Sequence, residues 1–121
     1  MGVDYTSYTG FGIKLADEDN YDEISNLLEE ASEDGDVYSL SFDDDNIELV
    51  FDGMCGQYIY LLYKLDSHDP LYDNDGLELS LTEFKEIVEK VAPALIAAVQ
   101  KLKLPNITAQ DVKFISFTHA W

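Results

Sequence analysis

Residues 58–65, Tyr-Ile-Tyr-Leu-Leu-Tyr-Lys-Leu, are apolar or aromatic at nearly every position. A short run that follows neither a two-residue nor a 3.6-residue period suits a strand covered on both faces. Such a strand belongs inside a sheet, with strands on either side and apolar material above and below. It therefore sets what the rest of the chain has to supply.

The flanking segments supply it. Residues 3–15, rich in Tyr, Thr and Ile and interrupted by Gly10 and Gly12, suit a first strand or a bent hairpin segment with a bulge. Asn20 with Glu23 forms a capping-box pattern, and Tyr21, Ile24, Leu27, Leu28 and Ala31 then recur at helical spacing, with Gly35 placed to end the helix as a left-handed cap. Tyr38, Leu40 and Phe42 alternate over residues 37–42, a polar turn follows at residues 43–46, and Ile47, Leu49 and Phe51 alternate again, as in a hairpin. Gly53 and Gly56 bracket a second turn before the buried strand, and residues 66–76 have the Asp, Asn, Pro and Gly content of a loop.

Ser80 with Glu83 repeats the capping pattern, and Leu81, Phe84, Ile87, Val88, Val91, Leu95, Val99 and Leu102 mark one face of a long helix. Pro93 is expected to kink or break that helix near Val91 or Ala92, Pro105 closes the region, and residues 112–121 form a last strand. The order β-α-β-β-β-α-β predicts one α+β domain over residues 1–121. It consists of about five strands, antiparallel or mixed, packed under two helices.

Charge is distributed as unevenly as hydrophobicity. No Lys, Arg or His lies between Lys14 and Lys64, whereas fifteen carboxylates do; residues 1–78 carry a net charge of -19 and residues 79–121 a net charge of +1. With 46% hydrophobic and 12% aromatic residues the chain is too apolar for a disordered acidic tail. The acid is expected as a folded surface: Asp17, Glu18 and Asp19 before the first helix; Asp22, Glu23, Glu29, Glu30 and Glu33 on it; and Asp43, Asp44 and Asp45 in the turn that follows. Glu29 and Glu33 are one helical turn apart, where like charges destabilise by a few tenths of a kcal/mol. Selection for solubility alone would intersperse lysines and remove that repulsion.

A surface of this sign attracts basic partners and repels nucleic acid. All seven basic residues are lysines, so no guanidinium fork is available for phosphate. Duplex DNA carries one charge per about 1.7 Å, so the net charge of -18 matches that of roughly 30 Å of duplex, about the width of a small domain.

Signatures of other chemistry are weak. Asp73, Asn74, Asp75 and Gly76 mimic the middle of an EF-hand loop, but the register puts Leu71 and Thr82 where an acidic ligand is needed at each end. Asp66, His68 and Asp69 make at most a loose metal site. Gly10-Phe11-Gly12 lacks the third glycine and the basic residue of a phosphate loop. Cys55 has carboxylates and no base near it in sequence, and His68 and His119 have no triad or zinc spacing. No enzyme, metal or cofactor is expected. Eight tyrosines fall in the acidic portion, where Tyr suits either a contact surface or ordinary strand packing. No signal-peptide pattern and no apolar run of about 18 residues is found, and the lone Cys55 cannot make an internal bridge. The expectation is a cytoplasmic protein with no membrane partner.

The opening Met1-Gly2-Val3-Asp4-Tyr5 followed by Gly10-Phe11-Gly12 resembles the start of small uncharacterised acidic proteins encoded by tailed bacteriophages. That resemblance implies an inhibitor of host nucleic-acid enzymes or defence complexes, acting in the host cytoplasm, some of which imitate DNA. Small acidic α+β chains of this length are also similar to bacterial immunity proteins, which neutralise basic nuclease toxins. Together these readings lead to a non-enzymatic protein whose surface over residues 17–52 occupies the basic nucleic-acid-binding cleft of another protein. The alternatives are an immunity protein, a calcium-binding protein or a structural assembly protein of undetermined oligomeric state.

Overall fold

A computed structural model describes residues 4–32, 34–35, 40–72, 76–104 and 107–120. Its elements are β1 (Tyr5–Ala16), α1 (Tyr21–Ala31), β2 (Ile47–Phe51), β3 (Ile59–His68), α2 (Leu81–Leu102), a 3-10 turn (Ala109–Asp111) and β4 (Lys113–Ala120). The strands form one four-stranded sheet in the order β2-β3-β1-β4, every neighbour antiparallel. The class is α+β as expected, with four strands in place of about five.

The difference lies in residues 37–42. Val37, Tyr38 and Ser39 are outside the described residues, and Leu40, Ser41 and Phe42 are irregular. Leu40 and Phe42 pack on the core, Lys101 Nζ donates to the Ser41 carbonyl, and the same ammonium lies 5.7 Å from the Phe42 ring centroid. A lysine from α2 therefore satisfies backbone that a strand would have satisfied by pairing. In contrast, β3 runs further than expected, through His68, because Ser7, Tyr8 and Thr9 of the long β1 offer it a ladder.

One face of the sheet packs on the helices. Phe11, Ile13 and Leu15 from β1, Ile59 and Leu61 from β3, and Ile47 from β2 meet Leu28 of α1 and Val91, Leu95, Val99 and Leu102 of α2. Each fully buried aliphatic side chain contributes about 1.5–3 kcal/mol. Pro93 lies inside α2 without ending it. Proline removes one backbone bond, but Val91 and Leu95 are buried on either side of it and hold the helix together across the gap. The first turns of α2 extend past the core: Leu81 is 90% exposed and Val88 42%, while Phe84 touches Phe11 and Phe114 at ring distances of 5.6 and 6.0 Å.

The caps differ at the two helices. Ser80 accepts a bond from the Glu83 amide, as its pattern predicts. Asn20 does not cap α1; its side chain accepts from the Asp17 amide, while Asp17 Oδ1 accepts from the amides of Asp19 and Asn20. Gly35 has a left-handed φ of 76° but lies in a turn beyond Ser32, where α1 ends in extended backbone.

The other face of the sheet has no helix on it. Register places Tyr8, Gly10 and Gly12 of β1 there, beside Phe117 and Ile115 of β4 and Tyr60 and Leu62 of β3. Leu62 is fully buried and Val50 nearly so. The tight packing follows from the glycines. Side chains of β3 and β4, which flank β1, meet across the space that Gly10 and Gly12 leave empty: the Tyr60 and Phe117 rings are 4.6 Å apart, and Ile115 reaches over Gly12 toward Leu62. β3 is thus covered on both faces, by helices on one side and by aromatic side chains on the other. A β-bulge accompanies Gly10, with the extra residue, Leu65, on β3.

A methyl group at Gly10 would run into the Tyr63 carbonyl oxygen, and one at Gly12 would stand 2.8 Å from the Leu61 oxygen and 2.9 Å from Ile115 Cδ1. Gly10→Ala is expected to lower stability by about 1–3 kcal/mol in urea unfolding, because backbone cannot give way as a side-chain tip can. Gly53→Ala, with open space at its Cβ position, should stay within about 0.5 kcal/mol of the parent. Equal midpoints for the two variants would contradict the close approach of β1 and β3.

Candidate functional site

The acidic residues singled out from the sequence fall on three stretches of backbone. Asp17, Glu18 and Asp19 are exposed in the turn that enters α1, and Asp22, Glu23, Glu29 and Glu30 are exposed along α1 itself. Asp43 and Asp45 are exposed and Asp44 half-buried in the turn before β2, where Asp44 Oδ1 accepts from the Asn46 amide. Glu33 lies outside the described residues. The first two groups are continuous through the Asp17–Asn20 hydrogen bonds, whereas the third belongs to a different turn, at the entrance to the edge strand. The 17–52 surface needs one correction: Asp52 is 6% exposed and is part of the interior.

Orientation of the helix sharpens the electrostatics. Asp22 and Glu23 sit in the first turn of α1, where the helix dipole favours acid, but no basic residue occupies the last turn. Glu29 and Glu30 are there, against the dipole. Neither makes an ion pair within 4 Å among the described residues, although Lys103 lines the same hollow as Glu30; Lys64 with Glu48 at 3.8 Å, and His68 with Asp66 at 3.0 Å when the histidine is protonated, lie away from α1 and its turn. Burial of Leu28 holds α1 in place in spite of Glu29 and Glu30.

The sequence reading missed a second cluster. Tyr58, just before β3, and His119, near the end of β4, are 61 residues apart, and Tyr58 Oη lies 2.7 Å from His119 Nδ1. His119 is 8% exposed. Tyr8 stacks on Phe117 with centroids 5.4 Å apart and stands 6.3 Å from the His119 ring. Beneath them Asp52 organises the β2–β3 turn, its Oδ1 accepting from the amides of Met54 and Cys55 and its Oδ2 from Gln57. No spacing rule could have paired Tyr58 with His119, because their proximity depends on the last strand joining the first. The available signal was only that 58, 60 and 62 and then 115, 117 and 119 each place ring or aliphatic groups on one strand face.

The cluster titrates unusually. Burial pushes the Tyr58 phenol up to about 12, with Asp52 and neighbouring tyrosines adding to the effect. Burial also raises the Tyr8 phenol, helped by Glu48. Burial lowers His119, and the nearby Asp52 carboxylate only partly restores it. Burial alone would raise Asp52, but the amides of Gln57, Cys55 and Met54, followed by His119, outweigh it and hold the carboxyl below its ordinary value.

The other expected features are ordinary. Cys55 is a free, exposed thiol. Asp66 pairs with His68 inside β3, while Asp73, Asn74 and Asp75 of the EF-hand-like stretch lie outside the described residues. Among the described residues no three His, Cys, Asp or Glu side chains are grouped to hold a metal ion, and no helix is long and apolar enough to cross a membrane. Tyr5 and Tyr72 are exposed, but Tyr8, Tyr58, Tyr60 and Tyr63 are half-buried packing residues rather than a free tyrosine surface.

The depressed His119 gives stability a definite pH dependence. As pH falls through the ordinary imidazole value of 6.5, the unfolded chain binds the proton first, so stability is full above that value and is lost toward the lower folded-state value. Asp52 has the same sign in a lower window, with stability lost as pH falls below its ordinary 3.8. Urea midpoints should therefore drop from pH 8 to pH 5.5, and His119→Phe should flatten that part of the profile; a slope unchanged by the substitution would exclude His119 as its source. Compared with protein-family profiles, curated protein sequences and solved structures, the chain matches none.

Proposed function

We propose that this chain is a non-enzymatic binding protein that presents α1 and its leading turn to a basic, nucleic-acid-binding cleft of another protein, as a phage-encoded inhibitor standing in for DNA would. The observation that supports this reading is the set of exposed carboxylates on α1 and its turn that have no cationic partner among the described residues. Asp22 and Glu23 stand at one end of α1 and Glu29 and Glu30 at the other, roughly 10 Å apart along the helix axis, so the helix offers two anionic pairs to a basic cleft.

Binding would begin with electrostatic steering and finish with charge-assisted hydrogen bonds from the partner's Arg and Lys side chains. Helix geometry suits the task, because α1 holds the acidic stripe on a fixed backbone and keeps Leu28 and Ile24 turned to the core. The unfavourable acid in the last turn is then a cost that partner binding offsets.

Glu29→Lys with Glu30→Lys separates the reading from a role in folding. Lysines there complement the helix dipole, so the double variant should be as stable as the parent or more stable by about 0.3–1 kcal/mol. A partner isolated at low salt should bind the parent, release it as salt rises or when duplex DNA is added, and fail to bind the double variant. A partner held equally at low and high salt, or bound equally by the double variant, would refute the proposal.

A further inference from the structure

Between the edge strand β2 and the end of β4, the other edge strand, a cleft of about 610 Å³ opens, with Tyr8, Leu49, Val50, Phe51, Met54 and His119 in its wall beside Gly53. That volume falls within the range of about 300–1,000 Å³ usual for small-molecule sites. The wall is mostly aromatic and aliphatic, and it contains one deeply placed polar ring.

The hydrogen bonding of that ring fixes what it offers. Tyr58 Oη and His119 Nδ1 are 2.7 Å apart, and the phenol has no other acceptor among the described residues. With the hydroxyl donating to Nδ1, the neutral imidazole carries its proton on Nε2. Nε2 has no partner among the described residues. It is also not sealed off: the side-chain nitrogen or oxygen that is both fully enclosed and without a hydrogen bond among those residues is Glu48 Oε1, which Lys64 faces at 3.8 Å. His119 lines the cleft and Tyr58, which holds Nδ1, does not, so Nε2 is the ring nitrogen left for a ligand. A donor on a ring only 8% exposed, beside a mostly apolar cleft, then lacks an acceptor among the described residues.

Charge narrows the ligand further. Asp52 is close enough to His119 to act on it electrostatically, Glu48 acts likewise on Tyr8, and no lysine lines the cleft. An anion would be repelled, and an ammonium ion would direct its own donors at the Nε2–H. We infer that the cleft is a binding site for a small, uncharged, flat aromatic molecule that lies against Tyr8 and accepts a hydrogen bond from His119 Nε2 through a carbonyl oxygen or ring nitrogen. Met54, 57% exposed on the turn at the lip, supplies a pliable side chain to cover it. This site is independent of the acidic α1 surface.

Benzamide, with one flat ring and one carbonyl, is a suitable probe, and benzoate is its charged counterpart. Titrating each into the isotopically labelled protein and following the His119 ring and the Tyr8 and Gly53 amides by NMR tests the inference. Benzamide should give saturable shifts at these positions, and benzoate should bind at least roughly tenfold more weakly, as expected for a carboxylate facing like charge. His119→Phe keeps a ring but removes the donor and should weaken benzamide roughly tenfold, the cost of one lost hydrogen bond. Gly53→Trp, at a position with open space around its Cβ, should keep the fold and block the cleft. Glu29→Lys with Glu30→Lys should leave benzamide binding unchanged. The site is refuted if benzamide gives no saturable shift at His119, if benzoate binds equally well, or if Gly53→Trp binds benzamide as the parent does.

Discussion

The contact on which this architecture depends is one between strands that are not neighbours. Gly10 and Gly12 remove two side chains from the middle of β1, and the rings of β3 and β4 close over the gap. Larger residues there would press on the backbone of β3, hold Tyr60 and Phe117 apart and strip Leu62 of its cover. A four-stranded sheet with helices on one side would then expose a row of large apolar groups to water. Glycine weakens a strand by itself, and here the loss is offset by the packing that it permits.

The same packing creates the polar cluster. Tyr58 and His119 bond to each other because β4 is drawn in toward β3, and Asp52 is buried beneath them because its turn closes the end of the sheet. These groups are satisfied mainly by one another and by backbone amides, the condition under which buried polar atoms are tolerated. The acidic exterior obeys another logic. Apart from Asp17 and Asp44, which bind backbone amides in their turns, its carboxylates are exposed, and two of them oppose the dipole of the helix that carries them. Interior and exterior are thus separable, and each can be altered with the other left intact.

Much of this was legible in the sequence. The buried run at residues 58–65 led directly to β3, helical spacing located α1 and α2, and Ser80 marked where α2 begins. What escaped was whatever depended on distant partners. Leu40 and Phe42 belong to a strand-like alternation, but Lys101, sixty positions after Ser41, binds the Ser41 carbonyl, and residues 40–42 are irregular. Asn20 and Glu23 fit a capping box, yet Asp17 takes Asn20 for its own turn. Pro93 carries a local signal to break a helix, and burial of Val91 and Leu95 overrides it. For the acidic surface, charge and exposure could be read from composition and periodicity, apart from Asp52. For the aromatic cleft nothing local was available, since its walls come from β1, β2 and β4.

Ser7 and Thr118 share a hydroxyl hydrogen bond across 111 positions, the reach of the pairing between β1 and β4. Loop closure over such a distance is entropically costly and slow, and a ribosome delivers β4 only after every other element has emerged. Until that strand pairs, a sheet of β2, β3 and β1 would have one flank bare, its Tyr8 and Tyr60 rings wet and His119 not yet in place. The density of negative charge on the already finished α1 would keep such half-built molecules from adhering to one another while they wait.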